Sequence, residues 1–299
     1  MAEEELNGKV IVITGASSGF GKGAALKFAA AGAKVVLAAR RAEVLEEIVA
    51  QCKTQGGEAL AVPTDVSKQD EVERLAQTTV STYGRIDVWI NNAGGGAIGH
   101  FEEVPIAEHV QVIETDLLGT LYGSYYAMQR FHQQGAGILI NVSSVIGKIP
   151  APYFSSYAAA KHGVVGLSAA IRQELDINKI TGIRVCTVMP TSMDTPFFEH
   201  AADHTGHQVV PIPPVYEPEQ VIDTLVRLAT EPKDEVAVGG ASGTGFVLMH
   251  NLFPGLTEHM MAKLTHREQM EKAPPAEDTP GNIMQPVAAG TGVSGGWKQ

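Results

Sequence analysis

Tyr157 and Lys161 stand four residues apart in Ser155–Gly163, SSYAAAKHG, an alanine-rich stretch. Residues i and i+4 share one helix face, so both side chains can point at one site. A free tyrosine has a pKa of about 10, poorly matched to proton transfer at neutral pH. A nearby ammonium favours the phenolate and brings that value down. The pair can therefore act as an acid–base device. Alone it is unspecific, because Tyr-x-x-x-Lys arises by chance in many helices, and the plain alternative is a helix-surface aromatic. A second chemically meaningful stretch is Thr14–Gly21, TGASSGFG. Glycines at 15, 19 and 21 allow a tight turn and let backbone amides approach a pyrophosphate. The helix that follows directs its positive end at that charge. The alternative is a glycine-rich turn without a ligand, and its place between a strand and a helix argues against that.

The elements that must position these residues alternate along the chain. Short apolar runs at 9–15, 33–39, 58–66, 86–94, 137–144, 183–190 and 235–240 read as strands. Helical patterns at 21–31, 42–55, 68–83, 106–133 and 155–178 lie between them, several closed by glycine. Strands and helices alternating at this spacing predict βαβ units in an α/β, doubly wound, parallel seven-stranded sheet. Ligands in such folds sit outside the carboxyl ends of the strands. Gly15, Asp65, Asn92, Ser144 and Pro190 fall at or just after those ends. Residues 191–216 interrupt the alternation, rich in Pro, Phe and His, and are expected to form a substrate loop within a unit spanning 1–240. Residues 241–299 are expected to add helices near 243–252 and 255–271 and a Pro/Gly-rich arm, 273–299, with no helical or strand period.

Four separated motifs in one order resemble the short-chain dehydrogenase/reductase family: Thr-Gly-x-x-x-Gly-x-Gly at 14–21, Asn-Asn-Ala-Gly at 91–94, Ser144, and Tyr-x-x-x-Lys at 157–161. The resemblance covers roughly residues 7–240. It implies a Rossmann fold, a nicotinamide cofactor, hydride exchange with a carbonyl or secondary alcohol, and no metal. By this resemblance Tyr157 is the general acid/base and Lys161 also holds the nicotinamide ribose. Ser144, chosen over Ser143 because its 13-residue separation from Tyr157 matches the family, polarises the substrate oxygen. The turn contacts fall on Gly15, Ser17, Ser18, Gly19, Phe20 and Gly21. Asp65, with Val66 beside it, resembles the aspartate that accepts from the adenine amino group, although a helix N-terminal acid is the alternative. Asn92, Ala93 and Gly94 would line the cofactor, while Asn91 serves the loop backbone. Pro190 and Thr195 are expected at the nicotinamide end. The glycine spacing differs from that of the branch rich in sugar-nucleotide epimerases. The family also implies a homo-oligomer, a dimer or tetramer.

Cofactor choice rests on the end of the second strand. A carboxylate there would bond the ribose 2′-hydroxyl of NAD. Here stands Ala39, followed by Arg40 and Arg41, which would pair with a 2′-phosphate. NADP(H) is therefore expected, with Arg40 the better contact because it directly follows the strand; the alternative is two arginines at a solvated helix start. Two positions depart from the family pattern. Asp116 stands in DLLG where an asparagine usually helps hold a relay water, and Thr191 follows Pro190 where a glycine is common.

Composition limits the other function classes. The net charge is −11, from 33 acidic and 22 basic residues, which argues against a nucleic-acid partner. No apolar run reaches about 18 residues, so no membrane span is expected. The acidic start, MAEEELNGK, lacks a secretory pattern, and two cysteines, Cys52 and Cys186, give no disulfide framework, so a cytoplasmic protein is expected. His200 and His204 would be spaced for a metal if helical, but the simpler reading is a polar, mobile loop. The expected substrate walls include Ile98, Phe101, Val145, Tyr153, Met193, Phe197, Phe198 and Tyr216. They suggest an apolar or aromatic small molecule. A nucleotide-binding sensor with little turnover and an epimerase on the same fold are the competing functions.

Overall fold

Val10, Ile11, Val12 and Ile13 are buried without alternation, as in a parallel strand covered on both faces. In the computed structural model they form β1 (Val10–Thr14), and the structure describes residues 5–298, the side chains of 241–244 excepted. β2 (Lys34–Ala39), β3 (Glu58–Pro63), β4 (Val88–Asn91), β6 (Gly137–Val142), β7 (Ile183–Pro190) and β9 (Glu235–Val238) join it. The strand order is β3-β2-β1-β4-β6-β7-β9, parallel throughout. Register pairs Thr14 with Ala38 on one side of β1 and Ile13 with Ile90 on the other. The chain winds outward to β3, then returns to start again at β4, so the order reverses between β1 and β4. The loops after these two strands flank the crevice that such a reversal opens.

Helices cover both faces. α1 (Gly19–Ala30), α2 (Ala42–Thr54) and α8 (Glu219–Leu228) enclose one core layer around Phe28, Ile11 and Leu225. α3 (Gln69–Tyr83), α5 (Gly119–Gln134) and α6 (Ser155–Ile177) enclose the other, around Trp89, Phe131 and Leu139. Cys52 and Cys186 are buried thiols that desolvation pushes up to about 11, so both are small apolar core residues rather than reactive groups.

The helix expected over 106–133 is interrupted. α4 (Ile106–Ile113) passes through a π turn, Glu114–Leu118, before α5 resumes. A wide turn of this kind re-aims side chains, and here it buries Asp116 completely. Several strands stop short of their expected ends, β3 at Pro63, β4 at Asn91, β6 at Val142 and β9 at Val238, so Asp65, Asn92 and Ser144 lie in the loops beyond. α8 escaped the sequence reading although Val221, Ile222, Leu225 and Leu228 form its buried stripe.

Residues 191–216 are more ordered than a loop. α7 (Phe197–His200) leads into β8 (Ala202–His204), which pairs in parallel with β5 (Ala97–Gly99) in a separate two-stranded sheet. The polar, mobile loop expected here is therefore corrected: β8 is held on its other side by an antiparallel bridge from Asp203 to Thr279. Beyond β9, α9 (Gly240–Leu252) and α10 (Pro254–His266) follow one another with only Phe253 between them, and a π turn, Arg267–Lys272, comes after. The arm from 273 to 298 has neither helix nor strand and runs back along the cleft side of the sheet. Among the described residues no helix is long and apolar enough to cross a membrane.

Candidate active site

The glycine turn after β1 uses left-handed backbone at Gly15 (φ +65°) and Gly19 (φ +52°). A Cβ on Gly15 would come within 2.7 Å of the Ala93 Cα, and one on Gly21 would strike the Gly15 carbonyl. The turn can therefore close against the β4 loop only with glycine at these places. Thr14 Oγ1 fastens the two loops, accepting from Asn92 N at 3.0 Å and Ala93 N at 3.1 Å. The Asn92 amide donates to the Thr14 carbonyl at 3.0 Å, so this residue serves the loop backbone as well as the cleft. Asn91 takes a different part from the one expected of it. It is buried, accepts from Trp89 Nε1 at 2.8 Å and donates to Asn141 Oδ1 at 2.9 Å, tying β4 to β6 inside the core.

The cleft has a volume of about 320 Å³ and runs from the glycine turn to the substrate end. Of the site residues expected from sequence, all but Gly21 line it. Gly21 instead lets α1 start close under the turn. At the outer end Asp65 lines the cleft, and its Oδ1 accepts from Ser67 N at 3.0 Å and Ser67 Oγ at 2.8 Å in the turn before α3, whose first-turn acids are instead Asp70 and Glu71. The arginines are engaged by the arm. Arg40 donates to the carbonyls of Asn282 at 2.6 Å and Ile283 at 3.2 Å. Arg41 donates to Val287 and Ala289 carbonyls and also to Ser17 Oγ. Both are half-buried against the arm, and Arg41 is the N-cap residue that starts α2.

Tyr157 and Lys161 sit one turn apart on α6, with Lys161 Nζ 5.4 Å from the Tyr157 ring centroid. Lys161 Nζ lies 3.0 Å from Asp116 Oδ2 and donates to the Val142 carbonyl at 3.2 Å. Asp116 Oδ1 accepts from Gly95 N at 2.8 Å. A Cβ on Gly94 would stand 2.9 Å from Asp116 Oδ2 and 3.2 Å from Lys161 Nζ, so glycine there makes room for the pair. Burial works against the Lys161 ammonium, but Asp116 and Tyr157 outweigh it and its pKa is raised. Burial raises that of Asp116, opposed by Lys161 and by the Gly95 amide. We read the two groups as an ion pair; among the described residues no other salt bridge reaches either of them. Burial also raises Tyr157; Lys161 lowers it, Asp116 raises it again, and a bond to Ser144 lowers it. Ser144 lines the cleft; its Oγ caps the short turn Val145–Gly147 by accepting from Ile146 N at 3.2 Å and donates to the Pro190 carbonyl at 3.4 Å.

At the substrate end Val145, Met193, Phe197, Phe198 and Tyr216 line the cavity as expected. Three others do not. Ile98 is fully buried in β5, Phe101 is exposed, and the Tyr153 hydroxyl bonds His266 Nδ1 at 2.7 Å. The extension past Gly240, expected from its apolar residues to cover the substrate side or a neighbouring subunit, brings Phe246, Met261 and Leu264 from α9 and α10 and Asn282, Ile283 and Pro286 from the arm to the cleft, none of which the sequence reading named. The only signal for these was an apolar pattern past residue 240 that needs a partner surface. His204 is clamped between Glu108 Oε2 at 2.8 Å and Asp278 Oδ2 at 3.3 Å, while His200 Nε2 meets the Ala289 carbonyl. Among the described residues no group of three or more His, Cys, Asp or Glu is placed to hold a metal ion.

A family model described as short chain dehydrogenase matches residues 9–206. The chain belongs to the short-chain dehydrogenase family. An uncharacterized oxidoreductase of Bacillus subtilis (strain 168), YxnA, is 36% identical over 273 residues, 91% of this chain and 76% of the relative. A short-chain dehydrogenase/reductase from Burkholderia phymatum, solved in complex with NAD, superposes with a TM-score of 0.76 at 26% identity, over 84% of this chain and 96% of that one. An alcohol dehydrogenase from the archaeon Thermococcus sibiricus, complexed with 5-hydroxy-NADP, gives 0.66 at 26% identity, over 77% and 95%. This short-chain dehydrogenase thus has solved neighbours with either nicotinamide dinucleotide. The residues present fit such a group: the glycine cradle, where a Cβ on Gly15 or Gly21 would strike backbone, opens onto the cleft that Tyr157 and Lys161 face.

Proposed function

We propose that the protein is an NADP(H)-dependent oxidoreductase acting on a carbonyl or secondary alcohol. The observation that supports this best is the convergence of Ser144, Tyr157 and Lys161 on one end of a cleft whose other end is the glycine turn. A nicotinamide bound there supplies or accepts the hydride. Tyr157 delivers a proton to the substrate oxygen, or removes one from an alcohol, at its phenolic oxygen. Ser144 donates to the same oxygen and stabilises the charge that develops on it. Lys161 holds positive charge beside the phenol, and the Asp116 carboxylate tempers that charge. The apolar walls at Met193, Phe197, Phe198 and Met261 exclude water and suit an apolar or aromatic substrate.

NADP(H) is favoured by Ala39, which puts no carboxylate at the end of β2, and by two guanidiniums beside it. One observation favours NAD(H) instead: arm carbonyls already take both arginines. Exposed Ile106, Val110, Leu121 and Tyr125 on α4 and α5 support a homo-oligomer, checked by light scattering. The activity test follows oxidation of NADPH and of NADH with a panel of aldehydes and ketones. Turnover of apolar ketones supports the reading. Tight binding of either dinucleotide without turnover across the panel would replace it with the sensor function.

A further inference from the structure

The arm meets the cleft through donors from two places, the end of β2 and the first turn of α1. Arg40 and Arg41 at the end of β2 donate to carbonyls of residues 282, 283, 287 and 289. Lys22 Nζ on α1 donates to the Thr291 carbonyl at 3.0 Å. Gly19 N, at the start of α1, donates to the Gly292 carbonyl at 2.9 Å. Gly19, Arg40 and Arg41 line the cleft, as do Asn282, Ile283 and Pro286 of the arm, while Lys22 does not.

The two ends of this segment are held differently. Ile283 is 5% exposed and packs with Ala97, Val112 and Ala202, while Asn282 N donates to the His200 carbonyl at 2.8 Å. That end is set into the body. The far end is fastened at Asp194, and beyond it Lys298 Nζ pairs with Glu217 Oε1 at 2.6 Å. Asp194 Oδ1 accepts from Gly295 N at 3.1 Å and Trp297 N at 2.8 Å, and Oδ2 accepts from Ser294 Oγ at 2.7 Å. Trp297 adds a bond from Nε1 to the Thr195 carbonyl and an edge contact with Phe198. Between the ends, Gly290, Gly292, Gly295 and Gly296 leave the backbone free to change course. The contacts to the rim are made by backbone carbonyls, and Val293 packs against the core beside α1; such a segment, held mainly by backbone hydrogen bonds at an edge, can open without unfolding the body.

We propose that residues 284–297 form a strap across the nucleotide cleft, hinged at Ile283 and fastened at Asp194, which lifts to let the cofactor in and out. Of the strap, Pro286 lines the cavity of about 320 Å³, next to Asn282 and Ile283 at the hinge. A long, anionic dinucleotide cannot thread under a fastened strap, so opening gates both entry and release. Asp194 is here a positioning residue: it acts on the cofactor only through the strap. The proposal rests on the reading that this cleft takes a nicotinamide dinucleotide.

The test compares the full-length protein with Asp194→Ala and Trp297→Ala. Hydrogen exchange without cofactor reads the clasp itself. The Gly295 and Trp297 amides should be protected in the unaltered protein and lose protection at least tenfold in Asp194→Ala. Stopped-flow fluorescence with NADPH and NADH reads the consequence. Association and dissociation rates should rise together, about tenfold in Asp194→Ala and less in Trp297→Ala, with a smaller change in Kd. Free exchange of both amides in the unaltered protein overturns the strap. So do unchanged dissociation rates in both variants, and so does tighter binding at an unchanged dissociation rate, which would make the arm a competitor for the cleft. Failure of both dinucleotides to bind the unaltered protein would instead overturn the functional reading, with the strap still judged by the exchange of its amides.

Discussion

Replacing Asp116 by asparagine keeps the shape of the side chain and removes its charge. The consequence for Tyr157 can be sized. Lys161 Nζ lies 5.4 Å from the Tyr157 ring centroid and 3.0 Å from Asp116 Oδ2, so the carboxylate oxygen is no more than about 8.4 Å from the ring. At an effective dielectric of about 20, a unit charge at that range is worth about 2 kcal/mol, or roughly 1.5 pKa units. Placing the phenolate charge on its oxygen adds up to about 3 Å and leaves about 1 unit. Asp116 disfavours the phenolate, in line with its direction of effect on Tyr157. Removing it should therefore lower the pKa of Tyr157, so that the base needed for alcohol oxidation is present at lower pH. The assay is the pH–rate profile for oxidation of a secondary alcohol, the unaltered protein against Asp116→Asn, with folding checked by circular dichroism. The rising limb should move down by about 1 to 1.5 units. A limb that stays in place, or moves up, would show that Asp116 carries no charge in the working enzyme and would refute the ion-pair reasoning.

Other expected outcomes are simpler to read. Tyr157→Phe should lower turnover by roughly 10²–10⁴-fold while equilibrium binding of the dinucleotide, measured by fluorescence, stays close to that of the unaltered protein. Gly94→Ala places a Cβ against Asp116 and Lys161 and should lower stability by about 1–3 kcal/mol in urea unfolding, with turnover falling further than binding. Arg40→Ala should raise the KM for NADPH much more than that for NADH; an equal effect on both would mean that Arg40 serves only the arm. The His204 clamp should be pH-dependent. Burial lowers the pKa of His204, but Glu108 and Asp278 outweigh it and the net shift is upward. A raised folded-state value means that the clamp stabilises fully below the unfolded value of about 6.5 and fades as pH rises through the folded one. The melting-temperature gap between the unaltered protein and His204→Gln should thus narrow from pH 6 to pH 9.

Much of the scaffold was legible because it rests on local rules. Apolar runs of four to eight residues bounded by glycine mark buried parallel strands, and the helices between them follow from period and caps. Strand ends were overrun by two or three residues, since backbone pairing stops where a neighbouring strand stops, and single-chain patterning carries no record of that. Residues 191–216 looked like a loop because Pro and His break both periods, yet β8 forms there by pairing with β5, more than 100 residues away.

The chemistry of the site was carried by residue type and spacing. Tyr157 and Lys161 are held together by one helix turn, and the glycine turn by its own backbone demands, so neither needed long-range information. What only the tertiary structure decided is which charges meet. Asp116 and Lys161 are 45 residues apart, and a π turn in one helix and a glycine at 94 bring them to 3.0 Å. Arg40 and Arg41 read as anion binders, and the fold turns them toward backbone carbonyls some 240 residues downstream. A carbonyl carries no side-chain signature, so no pattern in the arm could have announced those contacts. The same holds for Asp194, whose three donors come from a Gly-rich stretch without period. Local sequence determines where a turn or helix forms, and packing of distant segments determines which of its polar groups remain for a ligand.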